Sequence, residues 1–437
     1  LAAEGNPGNN ILPRVPELSE IFQSPAVHGA LHSLLGPGYS MHPHRYCHLN
    51  NPGSKGQAWH KDDFIFDHNV RHHRCRWLMA FYYPQDVDAE MGPTGIVGNR
   101  QFYNQISDTD STRSVEEEIK LCGPAGTVAL VNFDVWHRAT ANISDRKRYM
   151  LKFQFLRMEE PLEPSWDGIG QDWQHVPDDP HPGLSAHVWR WLSGAADDAA
   201  ETPPHDKTKL LTALQGDDEK RRLDAAYAWG ALGERAVPAL IDALRKEARA
   251  KADSNQAETP ANVQGGNPAD LDTAHALTAA GSSAVPALLD ELNSADWPLR
   301  SAAADILGNL GLEAREAAPA LARALADENY WVRRNAAEAL GTLTPKDDQS
   351  TAALATALAD IDEPVRRNAA LALAKIGTAA APAVSTLRDA LADENRYVRF
   401  NALLALQRIG TPAALDAVWG DMHIARWCPI TTRDTPY

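Results

Sequence analysis

Two patterns of apolar positions divide the chain. Up to about residue 192, apolar and polar residues alternate over short runs, as in AGTVALVNF (125–133) and RYMLKFQF (148–155). A period of two is the mark of a strand with two different faces, so this part predicts a β-rich domain. From about Lys207 the apolar positions recur at helical spacing and the text repeats itself. DWPLRSAAADILGNLG, NYWVRRNAAEALGTL, DEPVRRNAALALAKIG and NRYVRFNALLALQRIG align so that Arg300, Arg333, Arg366 and Arg399 fall 33 residues apart. Between them stand AVPALIDAL, AVPALLDEL, AAPALARAL and APAVSTLRDAL, each with a proline where the first turn of a helix tolerates one. A fixed period of this length predicts a stacked array of helix pairs, roughly five or six of them once the weaker copies RRLDAAYAWGALG and DLDTAHALTAAG are included.

The polar stretch SGAADDAAETPPHDK separates the two patterns. The expected organisation is a β domain over 1–194, a linker over 195–206, a helical solenoid over 207–420 and a tail over 421–437. On that division, a cut near Ala196 should leave a β domain that keeps its chemistry, or, where the array covers an apolar face of the barrel, a domain that aggregates or fails to fold. Within the array, Asp327, Asp360 and Asp393 precede Arg333, Arg366 and Arg399 by six residues. That spacing predicts a ladder of caps and ion pairs between neighbouring helix pairs, with Trp297, Trp331 and Tyr397 as packing or surface residues and not a ligand cage.

Composition narrows the function. A chain of 437 residues with a net charge of −16 lacks the broad basic field that nucleic acid or an anionic membrane surface demands. No apolar run reaches the roughly 18 to 20 residues of a bilayer span. Four scattered cysteines make neither a disulfide framework nor a zinc module, so a soluble protein of a reducing compartment, the cytoplasm, is expected.

The candidate chemistry begins at WHKDDF (59–64). On an extended strand His60 and Asp62 point to the same face and can reach one metal ion, while Lys61 points away. The strand AGTVALVNF leads through a turn to His137, which would complete a set of two histidines and one carboxylate. Such a set leaves open positions on an octahedral iron(II) for a bidentate cosubstrate and dioxygen. Eleven residues on, Arg148 opens RYMLKFQF; its planar guanidinium can grip a carboxylate in two parallel hydrogen bonds. Arg146 and Lys152 are the neighbouring cations.

With these residues in place, the segment 15–160 resembles the phytanoyl-CoA dioxygenase family of iron(II)/2-oxoglutarate oxygenases. MGPTGIVGNRQ resembles the family's loop ending in Pro-Gly-Ser-His, and LLGPGYSMHPHRY resembles its lead-in to the first barrel strands. The sequence departs from the family at Gly98-Asn99-Arg100, in place of that ending, and at Ala139, where serine is frequent. The array resembles HEAT repeats of the bilin-lyase type. These resemblances imply a double-stranded β-helix of the jelly-roll or cupin kind with flanking helices, followed by an all-α HEAT solenoid. They also imply iron(II) on His60, Asp62 and His137, 2-oxoglutarate on Arg148 with Trp77 against it, and dioxygen as oxidant. The expected activity is hydroxylation of an unidentified small molecule, lipid or protein-borne group, and the presence of Asp62 disfavours halogenation. The array would dock substrate or a protein partner. The alternative is a scaffold whose barrel is vestigial.

His42, His44, Tyr46 and His48 alternate as if along one strand face. They would line the barrel mouth as substrate contacts, or else form a solvent-facing edge. RHHRCR (71–76) has a cationic surround and no fourth ligand, which predicts a polar loop.

Overall fold

A computed structural model describes residues 10–62, 72–104, 118–167, 173, 176–195, 207–253 and 267–424. The chain divides into two compact units, one reaching to Glu247 and resuming over Asp253–Ser283, the other made of Ala248–Ala252 and the chain from Ala284 on.

The first unit opens with helices α1 (Ile11–Arg14), α2 (Leu18–Gln23) and α3 (Pro25–Leu35), followed by strands β1 (Ser40–Met41) and β2 (Tyr46–Asn50). Next come β3 (Trp77–Tyr82), β4 (Thr94–Val97), β5 (Glu118–Lys120), β6 (Val128–Asn132), β7 (His137–Ala139) and β8 (Arg148–Leu156). β8, the RYMLKFQF strand, is the centre of a five-stranded antiparallel sheet: β1 and β2 pair with it on one side, β3 on the other, and β6 pairs with β3. A smaller sheet runs in the order β5-β4-β7.

The alternation of β8 decides what each face does. Leu151, Phe153 and Phe155 join Leu78, Ala80, Phe22, Leu31 and Leu35 in a buried core that seats the helices on the sheet. Each leucine or phenylalanine among them contributes about 1.5–3 kcal/mol. Arg148, Met150, Lys152 and Gln154 take the opposite face, and a slip of one residue in register would drive the arginine into the helix-packed core.

Helices α4 (Pro182–Leu192), α5 (Lys207–Leu214), α6 (Glu219–Gly230), α7 (Val237–Asp253) and α8 (Asp272–Ala279) follow. All of them but the last turns of α7 lie in the first unit. Here the RHHRCR segment departs from expectation. His73 is buried, its Nδ1 bonded to the Tyr227 hydroxyl at 2.5 Å and its ring stacked on His275 at 3.9 Å. Arg74 and Arg76 are buried as well, and Arg76 grips Glu160 with two nitrogens at 2.7 and 2.8 Å. Tyr227 on α6 and His275 on α8 cover a stretch that its own composition would leave in water.

The second unit stacks α9 (Val285–Glu291), α10 (Trp297–Leu310), α11 (Ala318–Ala324), α12 (Tyr330–Leu343), α13 (Asp348–Ala357), α14 (Glu363–Ile376), α15 (Val384–Ala390), α16 (Arg396–Ile409) and α17 (Pro412–Ile424). The ladder expected from the repeats is present. Arg300, Arg333 and Arg366 each donate to the aspartate 27 residues on, Asp327, Asp360 and Asp393, at 2.6–2.8 Å. Arg333, Arg366 and Arg399 also cap the carbonyl six residues back, at 2.9, 2.9 and 2.6 Å. In the first unit Arg222 makes the same kind of rung to Asp272, 50 residues away. Trp331 and Tyr397 are buried, as packing residues should be. Glu363–Ala390 is apolar enough to be weighed as a membrane span, a stretch that run length alone passes over. More than half of it is buried in the array, and Gly377, at φ 68°, with Pro382 beyond it, splits it into α14 and α15.

Gly341 shows how tightly the stack is built: a Cβ there would lie 2.9 Å from the Cα of Ala372 on the next repeat. Gly341→Ala is expected to destabilise the array by about 1–3 kcal/mol, because the obstacle is backbone. The shift in the urea midpoint measures it, and an unchanged midpoint would refute the packing argument.

Candidate metal centre

His60 and His137 come from separate segments but face one another across an antiparallel bridge, each backbone N–H donating to the other's carbonyl at 3.0 Å. Asp62, two residues past His60, falls on the same side. The ligating atoms of all three lie within 4.8 Å of one another, and Asp62 Oδ2 is 3.8 Å from His137 Nε2. Both imidazoles are oriented by backbone. His60 Nδ1 bonds Ala58 O at 2.9 Å and His137 Nδ1 bonds Val135 O at 3.0 Å. A carbonyl only accepts, so each Nδ1 carries the proton and each Nε2 turns its lone pair toward the shared space. Burial pushes His137 down to about 4 against the pull of Asp62. Burial raises Asp62, but Lys152 and the two histidines outweigh it and hold the carboxyl at about 2. Near neutral pH the donor set is one carboxylate and a neutral imidazole at His137, with no proton to displace from either ligand.

Lys61 points away, as its place between the ligands requires. Its Nζ donates to Asp134 Oδ2 at 2.5 Å and to Gln101 O at 2.8 Å, and it lies 5.5 Å from the centre of the Trp136 ring. Lys152 was the cation that spacing alone could not place: its Nζ donates to Asp62 Oδ2 at 2.6 Å from the inner face of β8. The alternation of RYMLKFQF, which sets Lys152 on the face of Arg148, is the signal that finds it. Arg146 is exposed and tied to Asp88.

Arg148 is 1% exposed, and its Nε and Nη2 both donate to Gly92 O, at 2.9 and 2.8 Å. Asn50, its cross-strand neighbour, donates to the same carbonyl at 3.0 Å. Only glycine suits position 92, where φ is 68° and a Cβ would fall 2.3 Å from Asn50 Nδ2. Arg148 Nη1 is left buried with no partner, while the hydroxyls of Tyr83 and Thr94, buried as well, face each other. Thr94 pairs with Ala139 across the small sheet, supplying a hydroxyl opposite the position that lacks one.

His48 pairs with Met150, between Arg148 and Lys152, and its Nε2 is buried without a partner. Burial, with Lys152 beside it, lowers its pKa to about 3. Tyr46, exposed, stands against it with ring centres 5.0 Å apart. The alternating row of His42 to His48 is broken, because β1 ends at Met41 and β2 begins at Tyr46. His44 therefore lies off the strand, and His42 is drawn along β8 to Gln154 and Trp77. Trp77 pairs with Leu156, eight residues along β8 from Arg148, or about 26 Å of strand. Packed on Phe133 and His42, it is not brought to the guanidinium, because strand register carries it past the triad.

Residues 4–150 match the model of the phytanoyl-CoA dioxygenase family, and 285–374 and 351–420 match that of HEAT repeats. The chain joins a phytanoyl-CoA dioxygenase domain to HEAT repeats. The first is a domain of oxygenase type, and its matched span contains the triad and Arg148. No curated protein matches the chain. Similar solved structures include the nickel complex of the non-haem monooxygenase ThoJ, at 13% identity over 38% of this chain and 69% of that one, with a TM-score of 0.26. The α-ketoglutarate-dependent epimerase SnoN from nogalamycin biosynthesis is 18% identical over 34% and 58%, with a TM-score of 0.28. An engineered protein is 24% identical over 47% and 97%, with a TM-score of 0.30. At these identities and scores they do not bear on what this phytanoyl-CoA dioxygenase domain acts upon.

Proposed function

We propose that the chain is an iron(II)- and 2-oxoglutarate-dependent dioxygenase that hydroxylates its substrate, with the HEAT array as a docking module for substrate or a protein partner. The observation that carries this reading is the convergence of His60, Asp62 and His137 in a site whose arginine keeps one buried nitrogen unpartnered. A buried, unsatisfied guanidinium nitrogen is costly unless a ligand completes it, and a carboxylate is the group it fits. Iron(II) held by the triad, with 2-oxoglutarate and dioxygen, supplies the oxidation of a C–H bond.

The chain's own residues prepare that chemistry. The carbonyls of Ala58 and Val135 fix the faces of the two imidazoles, and Lys152 keeps Asp62 ionised and oriented. Gly92 and Asn50 hold the guanidinium for the far carboxylate of 2-oxoglutarate, with Tyr83 and Thr94 as further donors. His48, neutral and between the two cations, contacts the cosubstrate or the nearest part of the substrate, and Tyr46 and His44 lie toward the mouth.

Succinate release from 2-oxoglutarate, measured with and without pools of candidate substrates and joined to metal analysis, tests the reading. The anaerobically purified chain is expected to bind one iron(II), and Asp62→Ala to abolish turnover. Turnover by that variant at the parent rate would remove the triad from the mechanism.

A further inference from the structure

The loop over residues 98–104, where the sequence leaves the family's Pro-Gly-Ser-His ending, is held from two sides. Toward the metal centre it offers backbone carbonyls. Gln101 O accepts from Lys61 Nζ at 2.8 Å and Tyr103 O accepts from Trp136 Nε1 at 2.9 Å. Lys61 sits between His60 and Asp62, and Trp136 directly precedes His137, so two hydrogen bonds from this loop reach the neighbours of all three ligands.

On its other side the loop is held by α6 of the same unit. Asn104 N–H donates to Glu219 Oε1 at 2.6 Å. The Tyr103 hydroxyl shares a 2.6 Å hydrogen bond with His181 Nε2, and the Nδ1 of the same imidazole donates to Asp224 at 2.7 Å. Tyr103 is also packed with Leu184, Leu223, Tyr227 and Ala279 in a small buried core of the same unit. β-strand loop, α4 and α6 therefore close around one side chain.

We propose that α6 is a working part of the oxygenase: Asp224, through His181 and Tyr103, is a positioning residue for the metal ligands. The path runs from α6 through hydrogen bonds and the Tyr103 residue to Trp136, the residue beside His137. It accounts for the loss of the Pro-Gly-Ser-His ending, since a loop fixed by α6 is not fixed by its own rigid turn. Asn99, at φ 57°, adopts there a left-handed conformation open to asparagine. The proposal rests on the triad as the metal site.

The test uses the full chain and cobalt(II) alone, followed by its visible absorption. Asp224 is 46% exposed in its side chain, so Asp224→Ala removes the far end of the path without opening a core. Substitutions behind metal ligands typically weaken binding about 10- to 100-fold, so about three- to thirtyfold is expected for Asp224→Ala and for Tyr103→Phe, with a changed ligand-field spectrum; each variant also leaves the buried His181 short of one hydrogen bond, so both melt somewhat lower but still cooperatively, and cobalt binding is read well below that transition. Combined with Trp136→Phe, Asp224→Ala should add nothing further, because both cut the same path. Parent affinity and spectrum in Asp224→Ala, or effects that multiply in the double variant, would overturn the proposal; if Trp136→Phe does not fold, the two array-side variants decide alone. Asp62→Ala separates the failures. Cobalt binding that survives Asp62→Ala sinks the site itself, whereas binding lost in Asp62→Ala but intact in Asp224→Ala sinks only the positioning role.

Discussion

Arg148→Ala is expected to weaken 2-oxoglutarate binding by two to three orders of magnitude while leaving metal content unchanged. The guanidinium is buried beside Gly92 with one nitrogen unpartnered, so a bound carboxylate there loses a desolvated, charge-assisted partner. Truncating one member of such a pair costs about 2–5 kcal/mol, and each 1.4 kcal/mol is tenfold. Calorimetric titration of the cobalt-loaded chain with 2-oxoglutarate reads the loss. Unchanged affinity would hand the role to Lys152, since Arg146 is exposed and already committed to Asp88.

Ending the chain after residue 195 should abolish folding of the β domain, whereas ending it after Ser283 should not. Of the two outcomes expected of a cut near Ala196, this is the one in which the helices that follow complete the β domain. The shorter chain loses Leu223, Tyr227 and Ala279 from the core they share with Tyr103 and Leu184, and uncovers His73 along with the loss of its partner Tyr227. Two large side chains at about 1.5–3 kcal/mol each, and a net hydrogen bond at about 0.5–1.5, reach the lower end of the whole stability of an ordinary domain, about 5–15 kcal/mol. Thermal melting by circular dichroism and cobalt binding on both fragments distinguish the outcomes. A monomeric 1–195 fragment that melts cooperatively and binds cobalt would show the array to be an ornament on the oxygenase.

What the sequence made legible was local. Two-residue spacing placed His60 and Asp62 on one side, the alternation of β8 placed Arg148 inward, and the 33-residue period gave both the helix pairs and their Asp–Arg rungs. These follow from strand and helix geometry within a few residues of chain. Partners distant along the chain were hidden. Lys152 meets Asp62 across 90 residues and His73 meets Tyr227 across 154, and no local pattern records such pairings. Trp77 failed for a related reason: its type suited a cosubstrate contact, but the register of β3 on β8, set by the whole sheet, places it at the wrong end.

The rung from Arg222 to Asp272 spans 50 residues where its counterparts span 27, yet its bond length, 2.7 Å, is the same. A rung is thus fixed by the helix faces it joins and is indifferent to how much chain is looped out between them. Chain length between the feet of a rung is therefore free to change, and evolution can hang new recognition elements on the helix pairs without rebuilding them.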